Sequence, residues 1–338
     1  MQKEKKMPPI VWAILLLIVG FVLLVKGADW FVDGAAGVAG KAKIPQLVIG
    51  LTVVAFGTSA PELAVSLSSA ASSGGIALGN VVGSNITNIL LILGLSAVFT
   101  ALPVGSSLKK IDFPVLMGVS ALFVLFIWTS NTLERWEGIV MAALLVGYTV
   151  FLVLHALSQK KKGLIEVEEE EEVPTSGFGA WYAKMKDKVW FLLILLFVGL
   201  AMVVFGGVLA ADNAEIIARE LGVDEKVIGL TVVAIGTSLP ELVTSVTAAI
   251  KGKTDIAVGN IVGSNIFNIL MVAGLSAAIL PIVGADKFVI DGCIALGAAV
   301  LLAVLGYLKG NKINRVGGIV LLVGFVAYYV YLFVSTFA

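Results

Sequence analysis

One cysteine and one histidine are all that 338 residues contain of those two types. Cys293 has no second thiol to pair with, so no internal disulfide holds the chain together. With His155 as the lone imidazole, neither a Cys/His zinc site nor a Cys–His nucleophile pair is expected. Charge is equally scarce. Asp, Glu, Lys and Arg make up 14% of the residues, against about 25% in a soluble domain. The 23 basic and 23 acidic side chains cancel, and the basic surplus of a nucleic-acid binder is missing.

Apolar residues fill the space that charge leaves. They form 59% of the chain, the mean hydropathy is +1.04, and uninterrupted runs of about 17–25 residues recur from end to end. The runs are continuous rather than alternating, which excludes an outer-membrane barrel. The composition describes an all-α polytopic membrane protein embedded in a lipid bilayer. The first run follows Lys3, Lys5 and Lys6 as the core of a signal peptide would. It is too long for one and has a counterpart at 190–211, so it reads as a retained helix.

Two blocks occur twice. GLTVVAFGTSAPELAVSLSS at 50–69 returns as GLTVVAIGTSLPELVTSVTA at 229–248, and ALGNVVGSNITNILLILGLSA at 77–97 returns as AVGNIVGSNIFNILMVAGLSA at 257–277. Breaks at charged or Gly/Pro clusters give expected spans over 10–34, 46–70, 76–98, 112–129 and 138–157, then 190–211, 226–249, 256–280, 288–307 and 314–336. Five spans per copy is an odd number, so the second copy enters from the opposite side. The expected fold is ten transmembrane helices as two inverted five-helix repeats, over 1–157 and 190–338, the plan of secondary transporters. Fifteen of the 23 basic residues fall on the side of the 158–189 linker and seven on the other, with Lys26 inside the first span. The positive-inside rule then makes that linker cytoplasmic and both termini external, in a cell membrane. The linker carries KKK at 160–162 and EVEEEEEV at 166–173. It lacks the glycine turn and spaced ligands of an EF-hand loop and reads as solvated chain.

Glu62 and Glu241 lie deep in their spans, where an acid costs about 2.5–3.5 kcal/mol even on a mild insertion scale. No lysine or arginine shares their depth. Pro61 and Pro240 each remove a backbone N–H and free a carbonyl near Gly57 and Gly236. Thr58, Ser59, Thr237 and Ser238 add hydroxyls one turn from the acids. Ser84 with Asn88, and Ser264 with Asn268, are four apart and share a helix face. Asn85 and Asn265 sit on another face and are expected to hydrogen-bond helix to helix. Gly79 with Gly83, and Gly259 with Gly263, form GxxxG spacings that let helices approach closely. Carboxylate, hydroxyl and carbonyl oxygens are hard donors suited to calcium and sodium; softer metals would call for Cys or His.

GTSxPEL followed by GNxxGSNxxN, in inverted duplicate, resembles the α-repeats of the cation/calcium antiporter superfamily, and within it the prokaryotic sodium/calcium exchangers. The resemblance implies eight core helices with spans one and six as a slanted pair that slides across them. It places cation ligands on Glu62, Glu241, Asn88 and Asn268, hydroxyl ligands on Thr58, Ser59, Ser84, Thr237, Ser238 and Ser264, and carbonyl ligands on Ala55 and Ala234. It implies electrogenic sodium/calcium antiport by alternating access, with the two ions as cargo and no cofactor or obligate protein partner. Some members carry aspartate where this chain has Asn88 or Asn268; two glutamates alone balance one calcium ion. A potassium-dependent relative is expected to carry an acid at 268, so potassium independence is the reading. Proton-coupled exchange of calcium or another divalent ion is the alternative. Two non-equivalent halves argue against a symmetric channel pore, and the absence of a nucleophile–base pair argues against an enzyme.

The remaining intramembrane charges are expected to play lesser parts. Asp33 and Asp212, 179 residues apart like the glutamates, are expected near helix ends. Asp112 and Asp291 are expected to open spans four and nine, where a carboxylate suits a helix N-terminus. Lys26 is expected to snorkel or to pair with Asp29.

Overall fold

The computed structural model describes residues 9–70, 74–161, 182, 184–222, 234–308 and 310–337. Apolar runs in a bilayer must satisfy their own backbone groups, and the described chain does so almost wholly as helix. The first half comprises α1 (Ile10–Ala42), α2 (Gln46–Thr58), α3 (Ala60–Ala70), α4 (Gly75–Phe99), α5 (Leu108–Thr129) and α6 (Arg135–Lys161). The second comprises α7 (Val189–Glu220), α8 (Leu239–Ile250), α9 (Thr254–Ile279), α10 (Ala285–Tyr307) and α11 (Arg315–Ser335). Among the described residues, eight of these helices are long and apolar enough to cross a membrane, and α2 with α3 forms a ninth candidate bent by 43°. The expected seventh span falls partly on 223–233, outside the described residues; the turn Ala234–Thr237 and α8 are its visible part. The acidic run at 166–173 also lies outside them.

The helices form a centre and a periphery. The most apolar stretch of α9 is wholly buried and that of α4 mostly so, while α1, α6 and α11 turn most of their surface outward. Outward residues such as Trp12, Ile18, Val22, Leu154, Phe197 and Val323 are large and apolar, the reverse of a water-facing surface. The chain is a multi-pass membrane protein.

Two short ladders tie the halves together crosswise. β1 (Leu102–Pro103) pairs antiparallel with β4 (Lys312–Ile313), and β2 (Thr132–Leu133) pairs with β3 (Ile282–Val283). Each strand joins its counterpart's neighbour rather than its own. Gly284, at φ 83°, supplies the left-handed turn that leads from β3 into α10.

α1 and α7 pack against each other along their length. A Cβ on Gly20 would lie 2.8 Å from Ala210 N, one on Gly27 2.8 Å from Val203 N, and one on Gly34 2.4 Å from Leu196 N. The partners descend as the glycines ascend, so the two helices run antiparallel. Glycines seven apart return to one helix face after two turns, and only hydrogen fits there.

Several expectations need correcting. α1 continues to Ala42, so Asp33 is well inside the helix rather than at its end, and Asp212 is likewise inside α7. Asp33 is held by Lys186 and Lys251, each at 2.6 Å, and Asp29 pairs with Lys251 at 2.5 Å rather than with Lys26. Burial alone would push the Lys251 ammonium down, but its bonds to Asp29 and Asp33 outweigh that and hold it above the ordinary lysine range. The group fastens α1 to the end of α8. Asp112 and Asp291 lie inside α5 and α10, a turn or more past their starts rather than opening them, and each is engaged by a tyrosine of the following helix: Tyr148 donates to Asp112 at 3.0 Å and Tyr328 to Asp291 at 3.2 Å. Gly259 and Gly263 do meet a neighbouring helix, with Leu47 O and Leu51 O each 2.8 Å from a built Cβ, but Gly83 has open space around it among the described residues.

Candidate cation site

The site begins at two equivalent breaks. Ser59 (φ −84°, ψ 5°) separates α2 from α3, and Ser238 (φ −88°, ψ 5°) separates Ala234–Thr237 from α8. Each break is followed by a proline in the first helical turn, where the missing N–H goes unneeded. Glu62 and Glu241 therefore sit at the starts of α3 and α8, deep in the protein and completely buried. Their carboxylates are close enough to repel one another. Among the described residues no third acid, His or Cys joins them in a metal-binding group.

Hydroxyls from both halves gather at Glu241. Ser59 donates to Glu241 Oε1 at 3.3 Å, and Thr58 and Ser264 flank the same carboxylate. Thr58 and Ser264 are 3.4 Å apart, although 206 residues separate them in sequence. Thr58, Ser59, Glu62, Glu241 and Ser264 are thus brought into one cluster. Ser84, Asn88, Ser238 and Asn268 are buried as expected, without a hydrogen bond to either glutamate. Ala55 O accepts the Ser59 N–H at 3.0 Å and lies 3.4 Å from the Thr58 hydroxyl. Ala234 opens the turn before α8.

The polar atoms left over define what this cluster suits. Both oxygens of Glu62, Oε2 of Glu241, the amide oxygens of Asn88 and Asn268, and the hydroxyls of Ser84 and Ser238 are buried with no hydrogen-bond partner among the described residues. An unpaired buried polar atom costs about 1–3 kcal/mol. Hard oxygens of this kind, two carboxylates among them, are the donor type that a small cation stripped of water takes.

Helix geometry serves the second block too. Asn88 lies in the wide π-turn Thr87–Leu93, and Asn268 opens the equivalent π-turn Asn268–Ala273. A π-turn adds a residue to the helical circuit, re-aims its side chains and is frequent at functional sites. α2 carries a further one at Gly50–Val54. Asn85 reaches across helices to Asn265 O at 3.4 Å, as expected, but the Asn265 amide bonds Ile261 O of its own helix at 2.7 Å.

Two further asparagines were not singled out from the sequence. Asn80 Nδ2 donates to Glu62 O at 3.2 Å and to Ser66 Oγ at 3.1 Å, while its Oδ1 accepts from Thr237 at 3.3 Å. Asn260 Nδ2 donates to Ser245 Oγ at 2.8 Å, while its Oδ1 accepts from Thr58 at 3.0 Å. Their signal was the duplication itself, since each opens its copy of GNxxGSN.

A cavity of about 180 Å³ reaches the breaks, lined by Pro61, Gly236, Thr237 and Pro240, with Asp212 and Glu215 among its walls. The counterpart of Asp212, Asp33, is held in ion pairs instead.

The model of the family described as sodium/calcium exchanger protein matches this chain twice, over residues 12–154 and 191–334. The chain belongs to that family. This exchanger-family chain is 41% identical over 336 residues to the putative antiporter CaxA of Alkalimonas amylolytica, covering 96% of this chain and 99% of that one. It is 33% identical to the sodium/calcium exchanger MaX1 of Methanosarcina acetivorans, covering 94% and 98%. A solved structure of the sodium-calcium exchanger NCX_Mj superposes with a TM-score of 0.79 at 31% identity, covering 95% of this chain and 99% of that one. The chain is accordingly a cation/calcium antiporter, a transporter rather than an enzyme.

Proposed function

We infer that this antiporter exchanges sodium for calcium at one site shared by its two halves, electrogenically and without potassium. The observation that carries the reading is a pair of fully buried glutamates, one from each half, close enough to repel one another, with the hydroxyls of Thr58, Ser59 and Ser264 gathered at Glu241. Glu62, Glu241, Asn88 and Asn268 supply charge and amide oxygens. Thr58, Ser59, Ser84, Thr237, Ser238 and Ser264 supply hydroxyls, and Ala55 and Ala234 carbonyls. With two negative charges, calcium neutralises the site, and sodium ions compete for the same oxygens. Binding one cargo then excludes the other, which is the minimal condition for exchange.

The amide at 268 supports potassium independence, because a third carboxylate is the feature that would call for a further monovalent ion. The reading takes the chain as ten spans in two inverted repeats, 1–157 and 190–338, joined by a cytoplasmic linker at 158–189 in a cell membrane with both termini outside. The antiparallel course of α1 and α7 and the crosswise strand pairing support that inversion. In alternating access, α1 and α7 move as a unit, since their glycine-packed contact binds them to each other.

The coupling ion is tested by calcium-45 uptake into proteoliposomes loaded in turn with sodium, potassium, lithium or a proton gradient. Outward sodium alone is expected to drive uptake, faster when the interior is clamped positive if sodium charge leaves in excess. Uptake driven by a proton gradient without sodium would instead establish proton coupling, and uptake that needs potassium would contradict the role given to Asn268.

A further inference from the structure

Asn80 and Asn260 make the same three-part chain in the two halves, and each chain crosses between halves. In one, Thr237 donates to Asn80, which donates to Ser66. In the other, Thr58 donates to Asn260, which donates to Ser245. The threonine belongs to GTS of one half, the asparagine and serine to the other. Asn260, Ser245 and Thr58 are all fully buried.

The chemistry of Asn80 fixes the direction. Glu62 O can only accept, so the NH₂ of Asn80 must face it, and the amide oxygen must face Thr237. A threonine facing an amide oxygen must donate. The hydroxyl has a single hydrogen; once that is given to the amide, its remaining lone pairs are free for another partner. Thr58 stands in the same relation to Asn260 and also flanks Glu241. If the Thr58 hydrogen pointed at Glu241, it would occupy a carboxylate lone pair and turn a positive end toward any cation there. An acceptor on the far side at 3.0 Å removes both obstacles.

We propose that Asn80 and Asn260 are positioning residues that take the hydroxyl proton of Thr237 and Thr58, so that each threonine presents oxygen rather than hydrogen to the cation. Neither asparagine touches the cation. The role rests on the reading of Thr58 and Thr237 as cation ligands. It also explains why the amides come from the opposite half: the threonines are polarised only when the two halves are docked. The competing acceptors for Thr58 are Val54 O at 3.1 Å and Ala55 O at 3.4 Å on its own helix, and Ser264 Oγ at 3.4 Å.

A double-mutant cycle tests this, using Thr58→Val, Asn260→Ala and both together in the full-length protein in proteoliposomes. The readouts are the KM for calcium and the maximal rate, with thermal unfolding of the same samples as a check on folding. Each single change is expected to raise KM by about tenfold, the scale of one charge-assisted contact, with a smaller change in maximal rate. The double variant is expected to match the larger single effect, because Asn260 acts only through Thr58. Multiplying effects, or an unchanged KM in Asn260→Ala, would overturn the proposal and leave the ligand reading standing. An unchanged KM in Thr58→Val would overturn both. If Asn260→Ala does not fold, the half-exposed pair Thr237→Val and Asn80→Ala carries the same cycle with the same outcomes.

Discussion

Two carboxylates buried side by side repel one another unless something positive lies between them. Among the described residues Glu62 and Glu241 have no lysine or arginine partner, and the groups at the Glu241 carboxylate are the hydroxyls of Ser59, Thr58 and Ser264. Those donors soften the repulsion without cancelling it, and a bound cation completes the balance. Asn268 is the sharpest test of the neutral part of the donor set. Asn268→Ala removes one amide oxygen and is expected to raise the KM for calcium about ten- to a hundredfold, as loss of a hydrogen-bond-like contact to a charge would. Calcium-45 uptake against calcium concentration measures it, and an unchanged KM would remove Asn268 from the site. At this scale the sequence was eloquent about charge and quiet about partners. Glutamates in apolar runs declare themselves through their desolvation cost. Asn80 did not, because an asparagine after glycine in a membrane helix reads equally well as helix packing; its link to Thr237 spans 157 residues and exists only in the folded chain.

The elements show which part of the molecule is stiff. α1 and α7 approach so closely that a Cβ on Gly199 would stand 2.5 Å from Phe31 N and 2.8 Å from Gly27 O. Backbone atoms cannot swing aside as the end of a side chain can. Gly199→Ala is therefore expected to lower stability by about 1–3 kcal/mol, the scale of overpacking, read as a lower midpoint of thermal unfolding in detergent. Gly147→Ala on α6, with nothing within 4 Å among the described residues, is the matched control and should leave the midpoint nearly unchanged. Helix positions were legible from the apolar runs, and the helix breaks from Pro61 and Pro240. The π-turns were not, because the apolar pattern around Asn88 and Asn268 is nearly continuous and carries no period to distort. The end of α1 was placed early for a similar reason. Asp33 reads as a boundary when its partners Lys186 and Lys251, both far along the chain, are not in view.

For the molecule as a whole, the duplication is what the sequence conveyed best, and its geometry is what the structure adds. The equivalent helices α1 and α7 lie side by side, while the short strands cross over, β1 with β4 and β2 with β3. The same crossing recurs at the centre, where Ser59 of one half bonds Glu241 of the other and Thr58 meets Asn260. A site assembled this way belongs to neither half alone, and its two glutamates act as one charge-balancing unit. The offset between copies, 179 residues for the glutamates and 180 for Asn88 and Asn268, shows the halves free to differ outside that centre. The most direct measurement of the central claim is calcium-45 uptake by sodium-loaded proteoliposomes holding Glu62→Gln or Glu241→Gln singly, with folding verified by thermal unfolding. The account predicts that either change alone abolishes sodium-driven uptake. Full activity retained by either variant would contradict it.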